Sequence, residues 1–415
     1  MINRSSIEII FFNLCFIALV FSISLDLITT GFSEKIFYLV SYIAIIYTFI
    51  HVYKNPGFFY AHKPLFLLCI SLVLYAAGKI IWALLFKHTE FIDIQKNYYS
   101  GGKRFFLTAF ILVYFYQCRT LLNRRILNVS ITVIVIGLIT TLYLGYLART
   151  PEYPRVKWVT DAATTSAYLA VFISITAIIL VHKCYQSSRL SLLLFLAIFL
   201  INLALVLVTQ TRAAILLTPL LYFIFFLSHY RSVNKKIQVL LFAIITVSAA
   251  VALYCSWERL AQIQTDIREY QANNDTSIGA RISLWKSGWY SVTFDLLGQN
   301  PDQRYHKVEE FVHQFERGNP EAARAAAYHL HNDILDSFSL QGVFGLCALL
   351  AFYICSVYFA LRKDIISNTS LLFVILPVIV FGITDTVLIQ SNTALVIAMS
   401  MALSLPGLNK TPTHE

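Results

Sequence analysis

The residues best suited to chemistry lie late in the chain, at Tyr328-His329-Leu330-His331-Asn332, where a long polar segment meets an apolar run. A helix starting near Asn332, with about 3.6 residues per turn, would place His331, Leu335, Phe338, Gly342 and Gly345 on one narrow stripe. That stripe would carry a titratable group at its top. Below it, Gly342 and Gly345 would let a neighbouring helix pack closely. An imidazole at such a junction can take a proton from a hydroxyl. Asp333 and Asp336 follow in the first turn, where a helix start favours acids. A histidine that merely caps a helix is the competing reading. His329, two residues away, is expected to point elsewhere and to be structural.

Two arginines complement the histidine. Arg212 lies in Thr209-Gln210-Thr211-Arg212-Ala213-Ala214, which joins two apolar runs with no spare loop. Its guanidinium must then sit at the edge of a membrane, where a charge is costly and marks function by default. Snorkelling to lipid headgroups is the alternative. Thr211 adds a hydroxyl in the same turn, and Thr211 and Asn332 are expected to contact substrate beside these charges. Arg281, in Thr276-Ser277-Ile278-Gly279-Ala280-Arg281, opens an amphipathic stretch. An arginine in a first turn opposes the helix dipole, and a bound anion would remove the conflict. An ordinary surface arginine fits that feature equally well. Arginine forks match phosphate oxygens two at a time. A departing pyrophosphate needs such charge stabilisation as its bond breaks. A histidine and two arginines therefore suggest a reaction at a phosphorylated lipid.

The elements that must position these residues are set by composition. The 415 residues are 58% hydrophobic and only 13% charged, against about 25% charged in an average soluble domain. A spanning helix needs about 20 apolar residues, and many such runs are present. The expected fold is an all-α polytopic membrane protein of twelve spans, at 7–25, 36–53, 64–86, 104–121, 127–147, 162–182, 190–208, 213–228, 236–254, 333–361, 369–387 and 390–405. The expected division is 1–254 with nine spans, 255–332 as one large helical loop, 333–405 with three more, and 406–415 as a short tail. Within the loop, Trp257 to Tyr270 and Tyr305 to Tyr328 have helical apolar spacing and suit the membrane surface. Trp285, Trp289 and Tyr290 suit an interfacial belt.

The net charge of +10 does not point to nucleic acid, because the basic residues fall mostly in short loops between spans. Arg4, Lys54, Lys63, Arg119, Arg124, Arg125, Lys183, Arg189, Arg231, Lys235, Lys236, Arg362, Lys363 and Lys410 form one nearly acid-free set, which reads as cytoplasmic and puts both termini inside. The loop 255–332 and the Thr209–Arg212 turn then face outward. Lys87, Lys96, Lys103, Arg104, Arg149, Arg155 and Lys157 also lie outward, which suggests that anions are handled on that face. The apolar run before Asp26 lacks a small-residue cleavage site and reads as an uncleaved first span. The seven cysteines are scattered, so neither a disulfide framework nor a zinc site is indicated.

Other chemistries have weaker support. His306, Glu309 or Glu310, and His313 have helical spacing that could bind a metal, but a solvated helix face explains them better. No Asp-rich diphosphate motif, P-loop, nucleophile elbow or Gly-rich dinucleotide loop is present. Asp385, between the last two apolar runs, could be the proton-coupling acid of a transporter. A transporter, however, needs charges and broken helices through the bilayer centre, and the charges here gather on one face.

The pattern His331-Asn332, nine residues, Gly342, two residues, Gly345 resembles the signature of the O-antigen ligases of Gram-negative bacteria. The turn at 209–212 and the Gly-Ala-Arg segment at 279–281 resemble that family's other two landmarks, in the same order. O-antigen polymerases and O-linked oligosaccharyltransferases share the wider fold. The resemblance implies glycosyl transfer at the periplasmic face of the inner membrane. The implied donor is O-antigen on undecaprenyl pyrophosphate, and the implied acceptor is a sugar hydroxyl of lipid A-core. By the same resemblance His331 matches the general base, and Arg212 and Arg281 match the arginines at the donor pyrophosphate. The resemblance implies no metal, no nucleotide and no other cofactor. A lipid-linked sugar flippase is the alternative from a different class.

Overall fold

Each apolar run coils into a helix because a helix satisfies its own backbone donors and acceptors where no water can. The computed structural model describes residues 6–362 and 369–408. In chain order its helices are α1 (Ser6–Leu25), α2 (Phe32–Lys54), the one-turn α3 (Phe58–Ala61), α4 (Lys63–Leu85), α5 (Ile92–Gln117), α6 (Arg124–Ala148), α7 (Ala163–Tyr185), α8 (Arg189–Thr209), α9 (Arg212–His229) and α10 (Lys235–Cys255). Then come α11 (Trp257–Arg268), α12 (Ser277–Tyr290), α13 (Pro301–Phe315) and α14 (Pro320–Ala326). Last are α15 (Asp333–Leu361), α16 (Thr369–Thr384) and α17 (Ser391–Leu403). Arg4, Lys363 and Lys410, counted above among the basic loop residues, lie outside the described residues.

The protein is an all-α, multi-pass membrane protein. Among the described residues, nine helices are long and apolar enough to span a bilayer: α1, α2, α4, α6 to α10, and α15. Of the remaining expected spans, α16 and α17 are shorter apolar helices. The third, α5, starts at Ile92 rather than at residue 104. The sequence conceals that start because Asp93, Lys96 and Lys103 interrupt the hydropathy.

Small side chains decide what sits at the centre. α7 is rich in Ala, Ser and Thr and is buried along nearly its whole length. α17, with the sequence SNTALVIAMSMAL, is buried likewise. The two pack on each other, and α1, α5, α8 and α16 close around them. Such residues let helix backbones approach where lipid removes the hydrophobic drive to associate. The outer surfaces carry exposed Ile7, Tyr42, Phe49, Tyr143, Leu193 and Val239, a surface suited to lipid and not to water. α10 is peripheral and buries only Leu241, Ile245 and Ala252.

Helices α11 to α14 form a separate cluster with its own core of Ala280, Leu284, Val308, Val312, Ala322, Ala326 and Leu330. The expected stretch from Tyr305 to Tyr328 is two helices, not one. Arg317 and Gly318 adopt left-handed backbone, with φ of 56° and 66°, and turn the chain between α13 and α14. Val308 and Val312 of α13 and Ala322 and Ala326 of α14 meet this core. Asn300 starts α13 with a capping box to Gln303, and Pro301 sits in its first turn. Glu316 ties the cluster together, accepting from Ser283 Oγ at 2.8 Å, from Lys286 Nζ at 3.0 Å and from the Tyr270 hydroxyl. Burial would raise its carboxyl, but these donors hold it below the usual range.

Gly342 does a different job from the packing expected of it. It breaks α15, with φ 65° and ψ −156°, a conformation that glycine tolerates best. The backbone groups freed there find partners in the segment after α12. Val343 N donates to Asp295 O at 3.1 Å, Phe344 N donates to Leu296 O at 3.1 Å, and Gln299 N donates to Leu340 O at 3.0 Å. A Cβ at Gly342 would collide with Asp295 O. A Cβ at Gly345 would strike the Gln341 side chain of the same helix, so Gly345 also serves the break and not a neighbouring helix. The close approach to α4 is made elsewhere, where a Cβ at Gly78 would stand 3.0 Å from the Phe344 ring.

Candidate active site

His331 does not lie on the α15 stripe. It precedes the helix in left-handed backbone, φ 51°, an unfavourable state for a residue with a Cβ that the surroundings must enforce. Two contacts enforce it. Trp285 Nε1 donates to the His331 carbonyl at 3.2 Å. Asn332 caps α15, its Oδ1 accepting from Ile334 N and Leu335 N at 3.0 Å each, while its Nδ2 donates to Ile383 O at 3.0 Å. Asn332, expected to contact substrate, is therefore a cap that also ties α15 to the end of α16.

The turn aims the imidazole at the short linker between α16 and α17. His331 Nδ1 lies 2.8 Å from Asp385 Oδ1. The same carboxylate accepts from Tyr168 Oη at 3.0 Å and from Thr386 N at 2.9 Å. Burial alone would raise the Asp385 carboxyl, but His331 above all, with His329 and Arg281 beside it, holds it well below the usual carboxylate range. An ionised carboxylate only accepts, so Nδ1 supplies the hydrogen of this contact and Nε2 is left outside it. His331 remains about a quarter exposed, at 24%, so a hydroxyl can reach it.

His329 does not point away, as expected, but meets His331 edge to face, with ring centroids 4.3 Å apart. Burial first, and the neighbouring His331 second, push its imidazole down to about 3. His329, His331 and Asp385 place ligand atoms within 4.8 Å of one another, a set that could hold a metal ion. The positive charge of Arg281 acts on the same carboxylate and opposes a divalent cation there. The weaker metal candidate, His306 with Glu309, is an exposed pair 4.0 Å apart.

Arg281 links this pair to a group of arginines. Its charge acts on Asp385 and His329, and also on Arg155 and Arg212. Burial and the charges of Arg259, Arg281 and Arg212 lower Arg155 from its ordinary value. Arg155 is held by its Nε–H to Thr209 O at 3.1 Å, and Val156 N donates to Val208 O at 3.2 Å. Arg212 reaches α11, donating to Gln262 Oε1 at 2.8 Å and standing 3.6 Å from Asp266. Arg212 Nε, Arg259 Nε and Arg281 Nε are buried without a hydrogen-bond partner. Unpaired guanidinium N–H groups gathered this way form a site suited to a multiply charged anion.

The structure thus brings His331, Arg281 and Arg212 into one electrostatic neighbourhood. Thr211 contributes less than expected. Its hydroxyl is buried in the bundle, accepting from Thr209 at 3.1 Å and donating to Ala163 O at 3.4 Å. Sequence reasoning missed the role of Asp385, treated above as a lone acid, and missed Arg259 altogether. It counted Arg155 only as one outward charge among several. No spacing could have paired Asp385 with a histidine 54 positions away.

The helical bundle and the site at one end of it define a class of protein: a multi-pass membrane protein with a histidine–aspartate pair beside an arginine cluster. Residues 197–350 match the family model described as O-antigen ligase. Across 98% of this chain and 95% of that protein, the sequence is 24% identical to an O-antigen ligase of Escherichia coli (strain K12). An uncharacterized protein of Haemophilus influenzae is 24% identical over 32% of this chain and 34% of its own length. The resemblance seen in the motifs is borne out by the family model over residues 197–350 and by the nearly full-length similarity to the Escherichia coli ligase.

Proposed function

We propose that this protein transfers O-antigen polysaccharide from undecaprenyl pyrophosphate to a sugar hydroxyl of lipid A-core. The reaction takes place at the periplasmic face of the inner membrane, with both termini in the cytoplasm. The family match supports a ligase of glycosyltransferase type. The observation that carries the residue assignment is the 2.8 Å contact of His331 Nδ1 with Asp385. It leaves Nε2 as the free acceptor.

In this reading His331 Nε2 takes the proton of the acceptor hydroxyl as its oxygen attacks the anomeric carbon of the donor sugar. The bond from that carbon to the pyrophosphate oxygen breaks, and undecaprenyl pyrophosphate leaves with the electron pair. Arg212 and Arg281, joined by Arg155 and Arg259, offset the charge that develops on the leaving oxygens. Asp385 orients the imidazole and offsets the charge it acquires, the role a buried carboxylate plays beside other catalytic histidines. The donor set needs no nucleotide, since the pyrophosphate linkage already supplies a leaving group.

A lipopolysaccharide gel from a strain lacking this gene tests the reading. Core without polymer, with long lipid-linked polymer accumulating, is the expected result. Core bearing a single repeat would make the protein a polymerase. The absence of any periplasmic repeat would make it a flippase.

A further inference from the structure

Two buried ionisable side chains hold the linker that carries Asp385, a third lies nearby on α15, and none of them touches the proposed reacting atoms. Lys79 on α4 is fully buried, and its Nζ donates to Leu388 O at 2.6 Å. Asp333, the first residue of α15, is also fully buried. Its carboxylate accepts from Val387 N and Leu388 N at 3.2 Å each. A lysine and an aspartate from two different helices therefore grip opposite polar groups of the same residue, Leu388. The third charge, Asp336, is spent on Arg304.

The surrounding packing is shaped to this grip. Gly101 and Gly102 on α5 open the path of the lysine. A Cβ at Gly101 would stand 3.5 Å from Lys79 Nζ, and one at Gly102 would stand 3.1 Å from Lys79 Cβ. Gly382 on α16 makes room for the acid, since a Cβ there would lie 2.6 Å from Asp333 Oδ2. Burying two charges is expensive, and well-packed apolar residues would often give equal or greater stability. What a Lys–Asp pair adds is a fixed position for an irregular stretch of backbone, whose N–H and C=O groups must be satisfied inside a bundle. That stretch begins at Asp385.

We propose that Lys79 and Asp333 clamp the backbone on both sides of Leu388 and thereby hold Asp385 at His331. They are positioning residues for proton transfer and contact neither substrate. The proposal rests on the reading of His331 as the base. A displacement of about 1 Å in a catalytic group costs up to about a hundredfold in rate. The clamp therefore acts on turnover and not on donor binding, which belongs to the arginines.

The test compares purified wild type with Lys79→Met and Lys79→Arg, using hydrogen exchange and steady-state transfer. In Lys79→Met the amides of the 385–390 linker should exchange at least about tenfold faster, with α7 and α17 unchanged. Turnover should fall by about tenfold or more, with donor KM within about twofold. Lys79→Arg, which still donates to Leu388 O, should recover part of both. Unchanged exchange in the linker, or a loss confined to donor KM, would overturn the clamp. If Lys79→Met unfolds, Asp333→Asn gives the same readouts, because its amide still offers one acceptor to the linker. Faster linker exchange in a protein whose wild type transfers no glycan would leave the clamp standing and sink the transferase reading instead.

Discussion

Two acid–base pairs sit one helical turn apart around the start of α15, and they differ in what surrounds them. His331 with Asp385 is open on one side, at 24% and 5% side-chain exposure. Asp336 with Arg304 is sealed at 0% for both partners. The sealed pair joins α13 to α15, and Arg304 also donates to Ala326 O at 3.2 Å. Both pairs place a carboxylate against a nitrogen base, and access together with the kind of base separates their roles. A guanidinium that no solvent reaches, and that keeps its proton at any accessible pH, can only hold. An imidazole with one nitrogen bonded and the other open can exchange a proton.

Mutations at the two pairs should therefore fail in opposite ways. His331→Ala should insert and fold normally yet lose transfer by about three orders of magnitude, within the range for a general base. Glycan on lipid A-core, read on a gel, checks this. A normal ladder would reduce His331 to a structural residue of the turn before α15. Arg304→Ala should instead destabilise the protein by about 3–5 kcal/mol, because it leaves Asp336 buried and unpaired. Thermal unfolding in detergent would show that loss, and Arg304→Met with Asp336→Leu should recover most of it. Failure of the double variant to recover would mean that the sealed pair does more than hold.

Smaller effects sharpen the contrast. Arg259→Gln removes one member of the arginine cluster, and donor KM should rise about tenfold, the scale of one charge-assisted hydrogen bond. His329→Gln should leave transfer largely intact but change acid sensitivity. The folded value of His329 is about 3, against about 6.5 in an unfolded chain. The unfolded state therefore binds more protons between these values. The stability contribution is full above about pH 6.5 and is lost as the pH falls towards the folded value. Unfolding midpoints across that window should fall less steeply in the variant.

The membrane architecture was legible in the sequence because a bilayer enforces it residue by residue. Apolar runs marked the spans, and three motif landmarks placed His331, Arg212 and Arg281. Local reading failed where tertiary contacts decide. Gly342 looked like a packing glycine because a helical wheel cannot show that the helix stops there. Asn332 and Thr211 looked like ligand contacts because their polar groups had no visible partners. Those partners, Ile383 and Ala163, come from distant helices. Asp385 looked isolated because the acid and the histidine meet only once α15 and the α16–α17 linker are folded together.

The functional pairing of Asp385 with His331 is tested most directly by the steady-state kinetics of Asp385→Asn with lipid-linked donor and lipid A-core acceptor. An amide at that position can present its NH2 group to His331 Nδ1, which would favour the wrong tautomer. A folded protein with donor KM near the wild-type value and turnover reduced by about a hundredfold or more is the predicted result. Turnover close to wild type in the asparagine variant would contradict it.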